Sequence, residues 1–135
     1  MADTPAEILE LAQRFFAAIE AGDVDAVRAG YAPGAVVWHN HDLVEQSVDE
    51  NLATLAAFIA ASRQRSYAVT LRQAFAGGFV QEHVLTAISH AGKAFELPAC
   101  IVCRVQNGRI TRLDEYFDSA QVHALIDGLS RGVQA

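Results

Sequence analysis

Three glycine-marked reversals in the second half of this chain constrain its fold more than any other feature. Gly77-Gly78, Ala91-Gly92 and Asn107-Gly108 separate four runs rich in β-branched and aromatic residues, at 67–75, 79–90, 93–105 and 109–117. Such a pair of small or turn-favouring residues between extended runs is a hairpin pattern. Three hairpins in succession predict an antiparallel sheet, which needs one face covered.

The first half supplies the cover. Thr4, Pro5 and Glu7 make an N-cap, a first-turn proline and a capping box. Ile8, Leu11, Ala12, Phe15 and Ile19 then recur at helical spacing until Gly22. Asp23 caps a short second helix carrying Val24 and Val27 and ending at Gly30. Pro33-Gly34 reads as a turn and residues 35–40 as a strand. Ser47 with Glu50 opens a third helix whose stripe is Val48, Leu52, Leu55 and Ile59, widened by Phe58. Ser119 is expected to cap a last helix bearing Val122, Leu125, Ile126 and Leu129. Strands grouped after helices predict an α+β fold. The expected architecture is a single domain over residues 1–135, a cone-shaped α+β roll. Its curved antiparallel sheet and helices close a central pocket.

Composition limits what such a cone does. Hydrophobic residues make up 52% of the chain and charged ones 19%, which excludes a disordered chain. The longest apolar stretch, residues 52–61, is broken by Thr54 and falls short of the ~20 residues of a membrane span. The acidic start lacks the basic flank of a signal peptide, so the expected location is the cytoplasm. The net charge is -6 and the arginines are scattered, so neither nucleic acid nor an anionic membrane is an expected partner. The apolar surplus is expected to line a pocket for a small apolar molecule and to cover a homodimer interface on the convex sheet face. Ile101, Cys103 and Tyr116 are expected to point outward there. Cys100 and Cys103 sit three apart in a run that reads as strand. They should face opposite ways, which argues against a disulfide or redox pair.

Residues 15–31 read FFAAIEAGDVDAVRAGY, residues 32–40 APGAVVWHN and residues 107–118 NGRITRLDEYFD. With the element order, these segments resemble the SnoaL-like, nuclear-transport-factor-two-like superfamily of ketosteroid isomerases, limonene epoxide hydrolases and polyketide cyclases. The resemblance implies the cone-shaped fold and no cofactor. It implies no single activity, because the fold hosts many chemistries. Phe15 stands where the isomerases carry a tyrosine, His39 where they carry an aspartate, and Cys100 at the aspartate position after Pro98. These departures argue against ketosteroid isomerisation. The hydrolases' Arg-x-Asp pair is missing from the run around Glu82 to Ser89, which argues against epoxide hydrolysis.

What the resemblance implies most directly is a carboxylate just before Tyr-Phe-Asp on the last strand, here Glu115. Alternation places it with Leu113 and Phe117 on one face. A carboxylate between apolar walls should have a raised pKa and act as a base near neutrality. His39 or His83 is the expected partner acid or orienting group. The first strand admits two registers, with His39 or Asn40 in the pocket; counting from Tyr31 favours His39. The expected binding wall adds Phe15, Tyr31, Leu55, Phe58, Leu85, Cys100, Val102, Leu113 and Phe117. Plain structural roles stand beside these. Glu115 suits an edge strand, either histidine suits a strand end, and Cys100 suits a small buried hydrophobe. His39, His41 and His83 together would suit zinc, but His41 falls past the strand in a polar loop, and no metal is expected. The expected function is a cofactor-independent acid/base enzyme of isomerase, cyclase, dehydratase or hydrolase type. The alternative is a non-catalytic ligand-binding or dimerisation module.

Overall fold

Two reciprocal capping boxes fix where the long helices of the first half begin. A computed structural model describes residues 2–134; Met1 and Ala135, the ends of the expected 1–135 domain, lie outside the described residues. The Thr4 hydroxyl accepts from Glu7 N at 3.2 Å, and the Glu7 carboxylate accepts from Thr4 N at 2.9 Å. This box opens helix α1, Pro5–Ala21, which ends at Gly22 in the left-handed conformation with φ 73°. Helix α2, Val24–Gly30, follows directly from its Asp23 cap. Ser47 and Glu50 repeat the box at the start of α3, Val48–Ala61.

The strands are β1 (Tyr31–His39), β2 (Glu45–Ser47), β3 (Ser62–Phe75), β4 (Gly78–Ser89), β5 (Ala94–Gln106) and β6 (Arg109–Phe117), before α4 (Ser119–Gln134). They form one curved six-stranded sheet in the order β2-β1-β6-β5-β4-β3. Four neighbouring pairs are antiparallel; β1 and β6 run parallel. The architecture is the expected α+β roll. The parallel join is what the hairpin turns do not announce, because it links the two ends of the chain.

Several local expectations are corrected. Pro33-Gly34 does not separate a helix from a strand. It lies within β1, where the register against β6 shifts between Tyr31 and Val36 and Gly34 takes φ 79°. Such a bulge suits glycine, which has no Cβ to clash at positive φ. The short strand β2 was not visible in the sequence, since three polar residues carry no alternation. A second bulge between Val69 and Leu71 pairs Leu71 with the exposed Glu82. Simple alternation along this run puts Tyr67, Val69, Leu71 and Gln73 on one side; the bulge takes Leu71 and Gln73 off the face of Tyr67. Helix α4 is capped by Asp118 rather than Ser119. Its carboxylate accepts from Ala120 N at 2.8 Å and Gln121 N at 3.2 Å.

The inner sheet face is the core. Phe79, Ile101, Cys103, Ile110 and Leu113 are buried against Ile8, Leu11, Phe15 and Phe16 of α1. Leu85, Ala87 and Leu97 pack under Val122, Leu125 and Leu129 of α4. The strand β5 expectation is inverted here: Ile101 and Cys103 point inward, while Cys100 and Val102 lie on the outer face. Cys100 pairs with Tyr116 and Val102 with Asp114, and directly opposed residues in an antiparallel ladder share a face. The run Leu97 to Val105 offers almost no polar residue from which to read parity, so the partner strand decides it. The two cysteines are free and face opposite ways. No helix among the described residues is long and apolar enough to cross a membrane.

One guanidinium ties the helices to the sheet. Arg65 on β3 donates to Ile19 O at 3.2 Å and Glu20 O at 3.4 Å at the end of α1. It also donates to Ile59 O at 3.3 Å and Ser62 O at 3.0 Å at the end of α3. The carbonyls of a helix's last turn lack the regular intrahelical partner four residues on. Arg65→Met should therefore lower the unfolding free energy by about 2–3 kcal/mol, the scale of lost charged hydrogen bonds. Urea denaturation checks this; a loss below about 0.5 kcal/mol, the range of ordinary surface changes, would contradict it.

Candidate active site

The parallel pairing of β1 with β6 sets the register of the site. It places Val37 beside Leu113 and His39 beside Glu115. Val37 and Leu113 are buried inward, so His39 and Glu115, two residues further along each strand, face inward too. His39 Nε2 lies 3.3 Å from Glu115 Oε1, with 16% and 17% of the two side chains exposed. The imidazole also stacks flat on Phe117, centroids 5.8 Å apart and planes 8° from parallel.

Asn40 takes no part in that wall. Its backbone N–H donates to Glu115 O at 3.0 Å, and its side-chain oxygen accepts from Phe117 N at 3.0 Å. The first-strand register thus turns His39 inward, and Asn40 extends the β1–β6 ladder at the residues flanking the site. That is a positioning role and a correction to its expected place on the binding wall.

The pair opens into a cavity of about 360 Å³ between the inner sheet face, α1, α3 and α4. Of the expected wall residues, Phe15, Tyr31, Leu55, Phe58, Leu85, Leu113 and Phe117 line it. Cys100 and Val102 do not, for the parity reason given above. Phe15 is held edge-on by Phe16 and Tyr31, at 5.3 and 5.2 Å. At the α4 side the wall continues through Val122, Leu125 and the exposed Ile126.

His83 is on the inner face but off the cavity wall. It is 3% exposed, packed under Tyr67 at 4.8 Å and Phe16 at 5.7 Å. Arg72 Nε donates to Gln81 Oε1 at 2.7 Å, so the Gln81 amide nitrogen faces His83 Nδ1 at 2.8 Å. An arginine only donates, which fixes the amide; the amide N–H in turn fixes Nδ1 as the acceptor. His83 is therefore the neutral Nε2–H tautomer, and its Nε2 is buried without a hydrogen-bond partner. Burial lowers its pKa; the Glu115 charge acts against this and Arg72 with it.

The cavity residues not expected from the sequence include Tyr67, Gln46, Asn51 and Thr54. Tyr67 carried a usable sign, its place in the alternation of β3. Burial pushes its hydroxyl pKa far up, and the Glu115 charge adds to this, so it stays protonated. Gln46 and Asn51 carried none, because β2 had no pattern and polar residues on α3 read as its solvent side. His41 meets His39 at 5.9 Å and His123 at 6.4 Å between ring centroids. No group of three or more His, Cys, Asp or Glu side chains among the described residues is placed to hold a metal ion.

A family model described as the SnoaL-like domain matches residues 12–113. The chain belongs to the SnoaL-like domain family. No curated protein matches it. Solved structures resemble this SnoaL-like chain along nearly its whole length. One is an LEH-like epoxide hydrolase of M. tuberculosis, 22% identical, covering 97% of this chain and 95% of that one, with a TM-score of 0.73. Another is IdmH, a candidate polyketide cyclase from Streptomyces antibioticus, 17% identical, covering 88% and 97%, TM-score 0.76. A third is a protein with a ketosteroid isomerase-like fold from Catenulispora acidiphila in complex with trimethylamine, 15% identical, covering 86% and 91%, TM-score 0.75. At these identities the likeness is one of fold.

The His39–Glu115 contact has a titration consequence. Burial alone would lower the His39 pKa, but the hydrogen bond and charge of Glu115, with Asp42, raise it above the ordinary 6.5. A raised folded-state value stabilises the fold below pH 6.5, and that contribution is lost as pH rises through the folded pKa. Nuclear magnetic resonance titration of the imidazole should place His39 above 6.5, and Glu115→Gln should bring it down. An unchanged His39 titration in that variant would rule out the coupling.

Proposed function

We propose that this SnoaL-like chain is a cofactor-independent acid/base enzyme acting on a small apolar molecule inside the cone. The observation that carries the reading is the His39–Glu115 pair, 3.3 Å apart and mostly buried on the wall of an apolar cavity. A titratable side chain shifted by a charged partner in a cleft is a common mark of catalytic sites.

The chemistry follows from the protonation states. Glu115 raises the His39 pKa, and because a carboxylate only accepts, the Nε2 facing Oε1 at 3.3 Å carries the hydrogen between them. This orients the carboxylate and leaves Oε2 to take a proton from a ligand atom or, in hydrolysis, from a water that attacks the ligand. The proton is then returned from Glu115 to a different atom of the same ligand, or to a leaving oxygen. Isomerisation, cyclisation, dehydration and hydrolysis all share this proton exchange and need no electron donor. An apolar surround strengthens each charge interaction.

A ligand receptacle without turnover is the second reading. Phe15 favours it, since the first helix offers no hydroxyl to a developing oxyanion. The two readings separate on one variant. In a mass-spectrometric screen of small apolar compounds, any compound turned over by the wild type should lose at least about a hundredfold in rate with Glu115→Gln, while circular dichroism stays unchanged. Equal turnover by the variant refutes the base assignment. Ligands that bind but are never converted favour the receptacle.

The chain is also proposed to dimerise through the outer sheet face, away from the cavity. Trp38 and Tyr116 pack edge-on there at 5.3 Å, with Tyr116 45% exposed, beside the half-buried Cys100 and Val102. Light scattering behind size exclusion should give the mass of two chains, and Tyr116→Glu should shift it to one. A monomeric wild type at micromolar concentration would overturn this.

A further inference from the structure

A ladder of polar side chains crosses the otherwise apolar cavity wall. Thr54 Oγ1 donates to Glu50 O at 3.2 Å, one turn back in α3. A backbone carbonyl only accepts, so the Thr54 oxygen is left to accept, and Gln46 Nε2 donates to it at 3.2 Å. This turns Gln46 Oε1 toward Asn51, whose Nδ2 donates to it at 3.3 Å. Asn51 Oδ1 then faces Tyr31, whose hydroxyl donates at 2.9 Å. One anchored carbonyl thereby fixes the direction of every bond in the ladder.

The direction decides what the wall offers. Each amide nitrogen carries two hydrogens and the ladder uses one of each. Tyr31 has spent its only proton on Asn51, and His39 Nε2–H is directed at Glu115. Gln46 and Asn51 both line the cavity, and each keeps one N–H that the ladder does not use. Gln46 pairs with Val37 on β1, two residues before His39 on the same face. Gln46 thus stands one strand over and about 7 Å along the strand direction from His39.

We propose that Gln46 and Asn51 form a donor subsite that takes an acceptor oxygen of the ligand, such as a carbonyl or ester oxygen. The occupant of the cone is then an apolar molecule with one acceptor oxygen, and not a plain hydrocarbon. This rests on the reading of the cavity as a ligand site, but not on Glu115 being a base. The cavity wall also carries the His41 imidazole, whose Nδ1 is buried without a partner, and the Tyr67 hydroxyl. Tyr67 stands on β3, at the opposite edge of the sheet from β2.

The test compares two probes of equal shape, 2-acetylnaphthalene and 2-isopropenylnaphthalene, which differ by a carbonyl oxygen in place of a methylene. Isothermal titration calorimetry reads both affinities. Gln46→Met combined with Asn51→Leu should weaken the ketone about tenfold and leave the alkene unchanged. Gln46→Met alone should weaken the ketone in the same direction and serves if the double variant does not fold. The carbonyl stretch of the bound ketone should shift upward in the variants as its hydrogen bond is lost. Glu115→Gln should leave the ketone affinity intact, so a failed catalytic assignment and a failed subsite give different results. Equal loss of both probes, no loss of either, no binding of the ketone to the wild type, or a selective ketone loss with Tyr67→Phe instead would each overturn the proposal.

Discussion

The parallel pairing of β1 with β6 is the contact on which the rest of the structure depends. It joins the front of the chain to the back, across the three hairpins that build the rest of the sheet. It seats Val37 against Leu113 and His39 against Glu115. It also sets the inward parity of β6, which β5 and then β4 inherit through antiparallel pairing. A slip of one residue at this join would turn Glu115 and His39 out of the cone together. Asn40 guards against the slip by bonding both neighbours of the join, at Glu115 O and Phe117 N.

Two kinds of polar grouping sit inside an apolar shell, and they do different work. Arg65 and the Arg72–Gln81–His83 chain are structural. The first gathers the carbonyl ends of α1 and α3, and the second holds the His83 ring under Tyr67 and Phe16 on the inner sheet face. The His39–Glu115 pair and the Gln46–Asn51 ladder face the cavity and keep capacity in hand: a free carboxylate oxygen, and two spare N–H groups. Burying polar groups with unused capacity is costly unless something completes them. A ligand of mixed apolar and oxygen character does so at both places.

The sequence carried much of the fold because the relevant interactions are local. Both capping boxes act within three residues, and the glycines at 22, 77, 92 and 108 occupy the positive-φ turns that end the elements. Glu115 was legible as an inward residue because Leu113 and Phe117 flank it with clear alternation. His39 was distinguishable from Asn40 only by counting, and Asn40 was misread because its role is a backbone bond to another strand. Cys100 and Val102 were misplaced because the run around them is apolar on both sides. Gln46, Asn51 and Thr54 escaped notice since polar residues on a short strand and a helix look like surface.

Sequence alone therefore determined the helices, the turns and the class of fold, with the carboxylate that the last strand would present. Those follow from backbone preference and side-chain period, which neighbours in the chain can express. Tertiary structure alone decided which histidine meets Glu115, which face of β5 lines the cone, and that a directed amide ladder crosses its wall. Those depend on register between strands distant in sequence. Register is fixed by the summed burial of whole faces, not by any residue's own preference.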